Sequence, residues 1–470
     1  MPDSASLSVY DCVSPLEFRY YGVNKRLIER FSPYVTERAR LGYELRVEAA
    51  AALVLARRGI CSAAAAGEIA RACAEVPAEE VAAEEARIHH NIRAMVNCIQ
   101  RRISEQARPF VHFTLTSFDV IDTAIAARFK DCTREALVPT LIELEAVLIG
   151  LALREKARVQ VGRTHGQHAV PITFGFAVAQ HVSRLGERIE AIQRAGDNLR
   201  GKISGAVGAY NASSLLVADP VAFEREVLAE MGLLPSPLST QVVAAEYITD
   251  YMHALISCFS VLADLCDDMR HLQRTEIGEV GEEFKAEQVG SSTMPHKRNP
   301  WNFENVKSLY KVFVPRMVTV YLDQLSEHQR DLTNSASNRF LPEVIVGLAG
   351  SAERLTRIMG KLVVDEANMA ANLQKTAGMV AAEPLYILLA ALGHPDAHEA
   401  VRRLTLKAQV DGAPVWKHAA ADDELAPYFA RLTAEQRRVL EEPRAYIGCA
   451  VERTEAICAE YAGKLGISLA

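Results

Sequence analysis

The sequence lacks an excess of positive charge and lacks an unbroken apolar stretch of membrane-spanning length. Its 470 residues carry a net charge of −7, which argues against general binding to nucleic acid or to membrane surfaces. The apolar runs stop well short of the ~18 residues that a membrane helix needs. The N-terminus has neither the basic nor the apolar region of a signal peptide. We therefore expect a cytoplasmic protein that binds any anionic ligand through a local cluster of cations.

The cysteines lack any paired spacing. There are nine, scattered without a CxxC pair, and some, such as Cys258 and Cys266, fall in apolar helical runs. This pattern is typical of reduced core residues rather than of disulfides or metal ligands. The chain also lacks a glycine-rich phosphate loop, metal-ligand spacing and a nucleophile–His–Asp arrangement. We expect no cofactor and no metal.

Strand-like alternation is nearly absent, and helical periodicity dominates. In 247–272 apolar residues recur at alternating steps of four and three, which predicts a long helix packed in a bundle. A second stripe covers 302–325, where Pro315 should kink the helix. Further helices are predicted from 137 to about 159 and from 174 to about 199. The chain is therefore predicted to be all-α, and the width of the stripes favours burial between subunits.

One long connection, 279–300, separates two of these helices. Gly281 and Gly290 can act as hinges, whereas Pro295 and Pro300 limit the conformations between them. A connection of this length without secondary structure is uncommon in a compact helical domain and is usually functional.

The end of that connection, "GSSTMPHKRNP" (290–300), contains two serines and no acid. A serine can act as a base only if donors and positive charge stabilise its alkoxide. His296, Lys297 and Arg298 could supply that charge. The alternative is an exposed loop with ordinary turn residues.

A second candidate is "GRTHGQHAVPITFG" (162–175), where His165 lies in a glycine-flanked turn before a long helix. Histidine titrates near neutral pH and is therefore suited to general acid catalysis. The alternative is a surface or capping histidine. Arg163, Thr164 and other polar residues crowd around it without being needed for packing.

Four further polar segments have plain structural alternatives. Hydroxyls near the start of a helix can simply cap it. Adjacent histidines on a helix point to different sides, so they are poorly placed to bind one metal ion. Arginines at the end of a helix can simply be solvated. Arginines can also bind phosphate or carboxylate through paired contacts. The residues concerned are Arg19 and Tyr20; His89, His90 and Asn91; His112, Thr116 and Ser117; and Arg330, Ser335 and Arg339.

Taken together, these motifs resemble a known family. "GSSTMPHKRNP" resembles the signature loop of the fumarase/aspartase superfamily, whose members eliminate fumarate or a related acid from a substituted succinate. Within it the chain is most similar to the adenylosuccinate lyase family, from about residue 14 to the C-terminus. The other matching segments, in the order of the family, are "SPLEFRY", "VHFTLTS", "RTHGQ", "GKISGAVGAYNA", "STQ", "NFEN" and "QRDLTNSASNR".

The resemblance implies a role for each matching residue. Ser291 would be the base that takes the β-proton, and His165, assisted by His112, the acid that protonates the departing nitrogen. The nucleotide, chiefly its phosphate, would be held by Arg19, Tyr20, Arg330, Ser335 and Arg339. The succinyl carboxylates and the scissile bond would be held by Thr116, Ser117, Thr164, Gln241, Lys297 and Asn299. Further substrate contacts would be His89, His90, Asn91, Ser292 and Asn305.

The resemblance also implies the architecture. The family fold is an all-α chain of three domains, here 1–110, 111–355 with the signature loop 279–300, and 356–470. Four central bundles form a twenty-helix core in a homotetramer, and each active site draws on three subunits. The implied partner is a succinyl-nucleotide substrate, without nucleic acid or membrane.

The implied reaction is an anti β-elimination of fumarate from adenylosuccinate to give AMP, together with the cleavage of SAICAR to AICAR in purine biosynthesis. The alternatives are a lyase acting on another N-substituted succinate, a carboxymuconate cycloisomerase, or a non-enzymatic structural relative. The cations Arg19, Arg330 and Arg339 favour the first reaction. Two departures from the family pattern bear on the substrate: Asn91 follows His90 where the family usually has Asp, and "VVAAEY" (242–247) follows "STQ".

Overall fold

The structure is a computed structural model that describes residues 12–284, 293, 294 and 296–469. Helices make up most of this part of the chain, and the strands form only short pairs. The predicted all-α class is therefore confirmed. The chain divides into two compact units, Met1–Leu141 with Glu187–Ser260 and Ser308–Glu353, and Ile142–Gly186 with Val261–Lys307 and Arg354–Ala470. The three predicted domains, with boundaries after residues 110 and 355, stay a prediction.

The N-terminal helices begin at residues whose side chains cap them. Asn24, Thr36 and Ser62 each accept a hydrogen bond from the backbone N–H three residues later, which satisfies one of the free donors of a helix start. These helices are α1 (Lys25–Val35), α2 (Glu37–Arg57), α3 (Ala63–Glu75), α4 (Ala78–Ile88) and α5 (Asn91–Gln100).

The central helices include the four that were predicted over 137–159, 174–199, 247–272 and 302–325. They are α6 (Ser117–Cys132), α7 (Val138–Arg154), α8 (Phe174–Asp197), α9 (Pro220–Glu230), α10 (Glu246–Leu272), α11 (Trp301–Phe313), α12 (Arg316–Leu322) and α13 (Leu341–Met359). The predictions for α8 and α10 are confirmed, and Pro315 separates α11 from α12. The helix predicted to reach residue 159 was wrong at its end, because it stops at Arg154 and the chain then enters a strand.

The apolar seam of α10 is buried within the chain itself. Phe259 stacks against Phe313 with ring centroids 6.1 Å apart and meets Tyr310 edge-on at 5.9 Å. A Cβ on Gly347 would lie 2.2 Å from the Phe313 ring, so this glycine lets α13 pack closely. Cys258 is fully buried beside this seam, as predicted for a core thiol.

The C-terminal helices form their own apolar cluster, from Ala381 to Leu440. The chain turns at 392–396 and at 412–414, between successive helices. The helices are α14 (Glu366–Lys375), α15 (Ala377–Val380), α16 (Ala382–Ala391), α17 (Ala397–Asp411), α18 (Val415–Ala420), α19 (Ala426–Phe429), α20 (Ala434–Glu441) and α21 (Ala450–Leu465).

Within the described residues the strands, which the sequence did not predict, form three pairs. β1 (Val159–Thr164) and β2 (Gln167–Thr173) form an antiparallel hairpin that is irregular between Val161 and Arg163. The remaining pairs are β3 (Arg200–Gly201) with β4 (Leu234–Pro235), and β5 (Val280–Gly281) with β6 (Val363–Val364). The hairpin escaped prediction because its polar residues and Pro171 break the two-residue alternation on which strand prediction depends.

Two helical segments, Ser117–Arg154 and Glu246–Leu272, are long and apolar enough to cross a membrane by length and composition alone. Their apolar windows are 61% and 67% buried inside the protein. Packing in the bundle core therefore accounts for their apolar character without a membrane.

Candidate active site

His165 occupies the tip of the β1–β2 hairpin. His165 and Gly166 form the two-residue loop between the paired Thr164 and Gln167, with φ angles of 54° and 74°. A two-residue loop with both φ angles positive is the type I′ turn, whose twist matches that of the flanking strands. The predicted glycine-flanked turn is confirmed. Positive φ is uncommon for residues other than glycine, although histidine adopts it more often than most, and here this backbone presents an exposed imidazole.

A fully buried carboxylate lies beneath this hairpin. Glu279 accepts hydrogen bonds from Gln160 (Nε2–Oε2, 2.7 Å), from Arg163 at 2.6 and 3.0 Å, and from Asn372 of α14 (2.8 Å). A buried charge is tolerated only when it is paired and hydrogen-bonded in this way. Arg163, which the sequence grouped with His165, therefore anchors the hairpin. Because Glu279 is also the first residue of the connection 279–300, one network holds both segments.

The central part of the signature loop lies outside the described residues, including Ser291 and Ser292. Lys297 and Asn299 belong to the described part and line an open depression. Its other basic side chains are Arg270, His271, Arg274, His296 and Arg298. Asn305 lies half-buried on α11. The predicted cationic surroundings of the loop therefore extend to the end of α10.

His112 is paired with a buried glutamate of α2. Its Nδ1 lies 2.7 Å from Oε1 of Glu48, and its backbone N–H donates to Oε2 of Glu48 at 2.9 Å. His112 has a positive φ of 58°, and the two contacts together fix its ring. Burial by itself would lower the pKa of His112, but the charge and hydrogen bond of Glu48 outweigh burial and raise it above 6.5. Glu48 is the oriented partner that a proton-transfer histidine requires.

Replacing Glu48 with Gln should lower the pKa of His112, because burial then acts without the opposing carboxylate. Glutamine keeps one acceptor for the His112 N–H, so the loop should stay folded. The raised pKa stabilises the fold fully below the ordinary value of 6.5, and that contribution is lost as pH rises through the folded-state pKa. The stability difference between wild type and Glu48→Gln should therefore be largest in acid and shrink towards alkaline pH. NMR titration of His112 and denaturant melts at several pH values measure both effects, and an unchanged His112 titration would contradict the assigned pairing.

A cavity of about 450 Å³ in the first compact unit brings together two of the five predicted nucleotide contacts, Ser335 and Arg339, with several other predicted substrate contacts. Its volume lies in the range of small-molecule sites, ~300–1,000 Å³. Among its lining residues are His89, His90, Asn91, Ser117, Gln241, Ser335 and Arg339. The cavity is lined by both charged and apolar side chains, which suits a ligand with an aromatic base and an anionic group.

Local backbone structure explains how the 89–91 segment faces this cavity. His89 ends α4 with a left-handed φ of 59°, which reverses the chain direction. His90 then caps α5, since its Nδ1 accepts the backbone N–H of Arg93 at 3.2 Å. Asn91, the departure from the family pattern, is the first residue of α5 and lines the cavity. Because Asn91 is an amide where the family pattern has a carboxylate, the cavity wall carries one negative charge fewer.

Asp119 organises the end of α6 that carries Thr116 and Ser117. Its carboxylate accepts the Thr116 N–H at 2.8 Å, the Ser204 and Gly205 N–H groups at 3.1 Å, and a hydrogen bond from Lys202. The aspartate and the lysine are both fully buried. This network ties the first turn of α6 to the "GKISGAVGAYNA" segment, and it positions the hydroxyls predicted to meet the succinyl group.

Arg330 faces a smaller neighbouring cavity rather than the one just described. Its guanidinium donates to the backbone carbonyls of Asp323 (2.5 Å) and Gln324 (3.0 Å). The same small cavity contains Asp122, which accepts the Val243 N–H at 2.8 Å. Burial raises the pKa of Asp122 to about 7. Through its hydrogen bond with Val243, Asp122 anchors the 242–247 segment, which departs from the family pattern.

The two N-terminal candidates belong to a short helical segment, Leu16–Tyr20. Arg19 is exposed and Tyr20 is half-buried. Their assignment to the nucleotide stays a prediction, as does that of Arg330.

The sequence pattern missed the acids that hold the catalytic candidates. Glu48, Asp119 and Glu279 are each buried and each contact a predicted site segment. For Glu48 the available signal was an acid within the alanine-rich stretch of α2. The pattern also missed Arg40 and Arg128, which line the 450 Å³ cavity.

Comparison with known proteins identifies two family models that match successive parts of the chain. A family model described as lyase matches residues 19–313, and one described as adenylosuccinate lyase C-terminal matches residues 326–426. The adenylosuccinate lyase of Pyrococcus abyssi is 36% identical over 95% of this chain and 97% of its own. The chain belongs to the adenylosuccinate lyase family. The enzyme of that name from Archaeoglobus fulgidus is 31% identical over 95% of this chain and 98% of its own, so the family match extends across the whole described fold.

Solved structures of the fumarase/aspartase superfamily have the same fold. A 3-carboxy-cis,cis-muconate lactonizing enzyme from Pseudomonas putida matches with a TM-score of 0.79 and 24% identity over 96% of this chain and all of its own. A fumarate lyase from Mesorhizobium sp. BNC1 matches with a TM-score of 0.79 and 22% identity over 92% of this chain and 97% of its own. At these identities the similarity establishes the fold alone.

Proposed function

We propose that the protein eliminates fumarate from adenylosuccinate to give AMP, and cleaves SAICAR to AICAR in the same way. The observation that carries this proposal is the similarity, 31–36% identical over about 95% of the chain, to proteins named adenylosuccinate lyase. The relatives favour this substrate over another N-substituted succinate and over a cycloisomerase reaction. The reaction needs no cofactor.

The chemistry divides between a base and an acid. Ser291 takes the β-proton of the succinyl group, and the electron pair left behind is delocalised into the adjacent carboxylate, where cations and hydrogen-bond donors stabilise it. The carbon–nitrogen bond then breaks, fumarate forms, and His165 gives its proton to the nitrogen of the departing nucleotide. The exposed imidazole on the rigid hairpin turn supports the assignment of His165 as the acid.

The remaining contacts bind and orient the substrate. The mixed polar and apolar cavity supports nucleotide binding by Ser335 and Arg339, with His89, His90 and Asn91 as further substrate contacts. Arg19, Tyr20 and Arg330 would complete the nucleotide site. Thr116, Ser117, Thr164, Gln241, Lys297 and Asn299 would hold the succinyl carboxylates. His112, with its pKa raised by Glu48 despite burial, is suited to assist proton transfer near neutral pH.

The direct test is incubation of the purified protein with adenylosuccinate while fumarate and AMP are followed together. We expect the two products in equal amounts and no release of fumarate from malate or from argininosuccinate. If neither product appears while another succinyl adduct is cleaved, the substrate assignment is wrong and the sister-lyase alternative replaces it. Formation of a stable assembly without cleavage of any succinyl adduct would support the non-enzymatic alternative.

We also propose that the protein is a cytoplasmic homotetramer whose active sites each draw on three subunits. An apolar surface around α12, formed by Val312, Val318, Leu322 and Leu325, supports association, since these side chains are 58–69% exposed in the single chain. Exposed apolar side chains concentrated in one segment are typical of protein–protein contacts.

A charge within this surface should break the tetramer. We expect Leu322→Glu to shift the sedimenting species from tetramer towards dimer or monomer, because the carboxylate would have to lose its water in the interface. Exposed Leu406, on α17 and outside this surface, provides the matched control Leu406→Glu. An unchanged tetramer in Leu322→Glu would exclude the α12 surface as an interface.

A further inference from the structure

One face of α6 forms a wall of the 450 Å³ cavity. Ser117, Ile121, Ile125 and Arg128 all line it, and they recur at the spacing of one helix face. Arg128 lies about 16 Å from Ser117 along the helix axis, at a rise of ~1.5 Å per residue. The cavity therefore has a hydroxyl at one end of this wall, an apolar middle and a guanidinium at the other end.

The guanidinium of Arg128 is only partly compensated: the charges of Glu44 and Glu37 act on it and oppose the lowering of its pKa, but among the described residues its Nε lacks the hydrogen bond that a buried cation normally makes. Arg128 is 4% exposed, and its Nε has no hydrogen-bond partner within the part of the chain that the structure describes. Burial, together with the neighbouring Arg40, lowers the pKa of Arg128 to about 10. A buried charge without a hydrogen-bonded partner is costly, so an anion that enters the cavity would gain from meeting it.

The neighbouring arginine shows the contrast. Arg40 also lines the cavity, but its guanidinium donates to Glu37 and to the buried Glu44. Its charge is therefore matched by acids of its own helix. Arg128 instead lies over the ring of the adjacent Phe129, with its guanidinium carbon 5.0 Å from the ring centroid, a contact that orients the side chain without neutralising it.

We propose that Arg128 binds the phosphate of the nucleotide together with Arg339, which lines the same cavity. This inference rests on the proposed function and adds a residue to it. Ser117 lies at the end assigned to the succinyl group, so the opposite end of an extended succinyl-nucleotide reaches Arg128. A phosphate dianion can accept paired hydrogen bonds from more than one guanidinium, and such charge-assisted contacts are the strong ones.

The test compares substrates with and without the phosphate. In Arg128→Met, which keeps an unbranched apolar stem and removes the guanidinium, KM for adenylosuccinate should rise about 10- to 100-fold with little change in kcat, the size expected for a lost charge-assisted hydrogen bond. Constants for the dephosphorylated substrate, succinyladenosine, should be unchanged. Arg128→Lys should recover part of the loss. An equal rise in KM for adenylosuccinate and succinyladenosine would overturn the proposal. If Arg128→Met also binds fumarate more weakly than wild type does, Arg128 contacts a carboxylate and the proposal is likewise wrong.

Binding measurements separate this inference from the proposed function. Calorimetry with AMP and with adenosine should show that wild type prefers AMP and that Arg128→Met abolishes the preference. This result would support Arg128 as a phosphate contact even if adenylosuccinate were not cleaved. Arg134→Met, an exposed arginine with the same change of charge, is the matched control and should keep the preference for AMP. If Arg128→Met binds AMP as wild type does while remaining folded by circular dichroism, the inference is wrong.

Discussion

Replacing His165 with Asn should lower kcat by about 10²- to 10⁴-fold, the usual contribution of a positioned general acid. Asparagine is the appropriate substitution because His165 has a φ of 54°, and asparagine tolerates the left-handed region better than most side chains. The type I′ turn should therefore survive, and the loss can be attributed to the missing proton donor. Steady-state kinetics with adenylosuccinate, and melting temperatures of both proteins, measure the two effects.

The same hairpin offers a control for this variant. His168 makes a hydrogen bond to Thr376 at 2.9 Å through Nδ1 and has no assigned contact with substrate, so His168→Asn should retain most of the activity. The alkaline limb of the pH–rate profile should disappear in His165→Asn only, since that limb reports the acid that must be protonated. Near-normal turnover by His165→Asn would rule out His165 as the acid.

Replacing Ser291 with Ala should abolish measurable turnover while substrate binding and the assembly are largely kept. The hydroxyl is the proposed base, and no neighbouring group is assigned to take the β-proton in its place. The expected loss is at least ~10²- to 10⁴-fold, the range for a general base. Because the chemistry stops at the first step, calorimetry should detect intact adenylosuccinate bound to the variant.

The adjacent serine separates the roles of the two hydroxyls. Ser292→Ala removes a proposed substrate contact, so it should raise KM and leave kcat much less affected. In Ser291→Ala, exchange of the substrate β-proton with solvent deuterium should also be lost, because that exchange requires the base alone. If Ser291→Ala turns over at a normal rate, the base is another residue.

The proposed site depends on buried acids as much as on the residues that meet the substrate. Glu48 fixes His112, Asp119 fixes the start of α6, and Glu279 fixes the hairpin of His165. Each acid is buried and accepts hydrogen bonds from more than one donor. It is therefore held more firmly than a single exposed ion pair would hold it. Rigid support of this kind is what keeps reacting groups within catalytic distance.

Helical periodicity predicted several of the long helices, because burial of one face requires apolar residues at a fixed spacing. It therefore located α8 and α10, and the proline rule located the break between α11 and α12. The hairpin β1–β2 was missed, since its pairing depends on a turn at His165 and on Glu279, which lies more than a hundred residues further along the chain.

The sequence by itself determined the all-α class, the family and the chemical types of the catalytic candidates, because these follow from local periodicity and from contiguous motifs. Only the tertiary structure decided which side chains share a cavity and which charges are compensated. Arg40 and Arg128 look alike in the sequence, yet one is matched by Glu37 and Glu44 while the other has an unpartnered Nε within the described residues. That difference arises from packing between segments distant in sequence, where burial makes an unmatched charge costly.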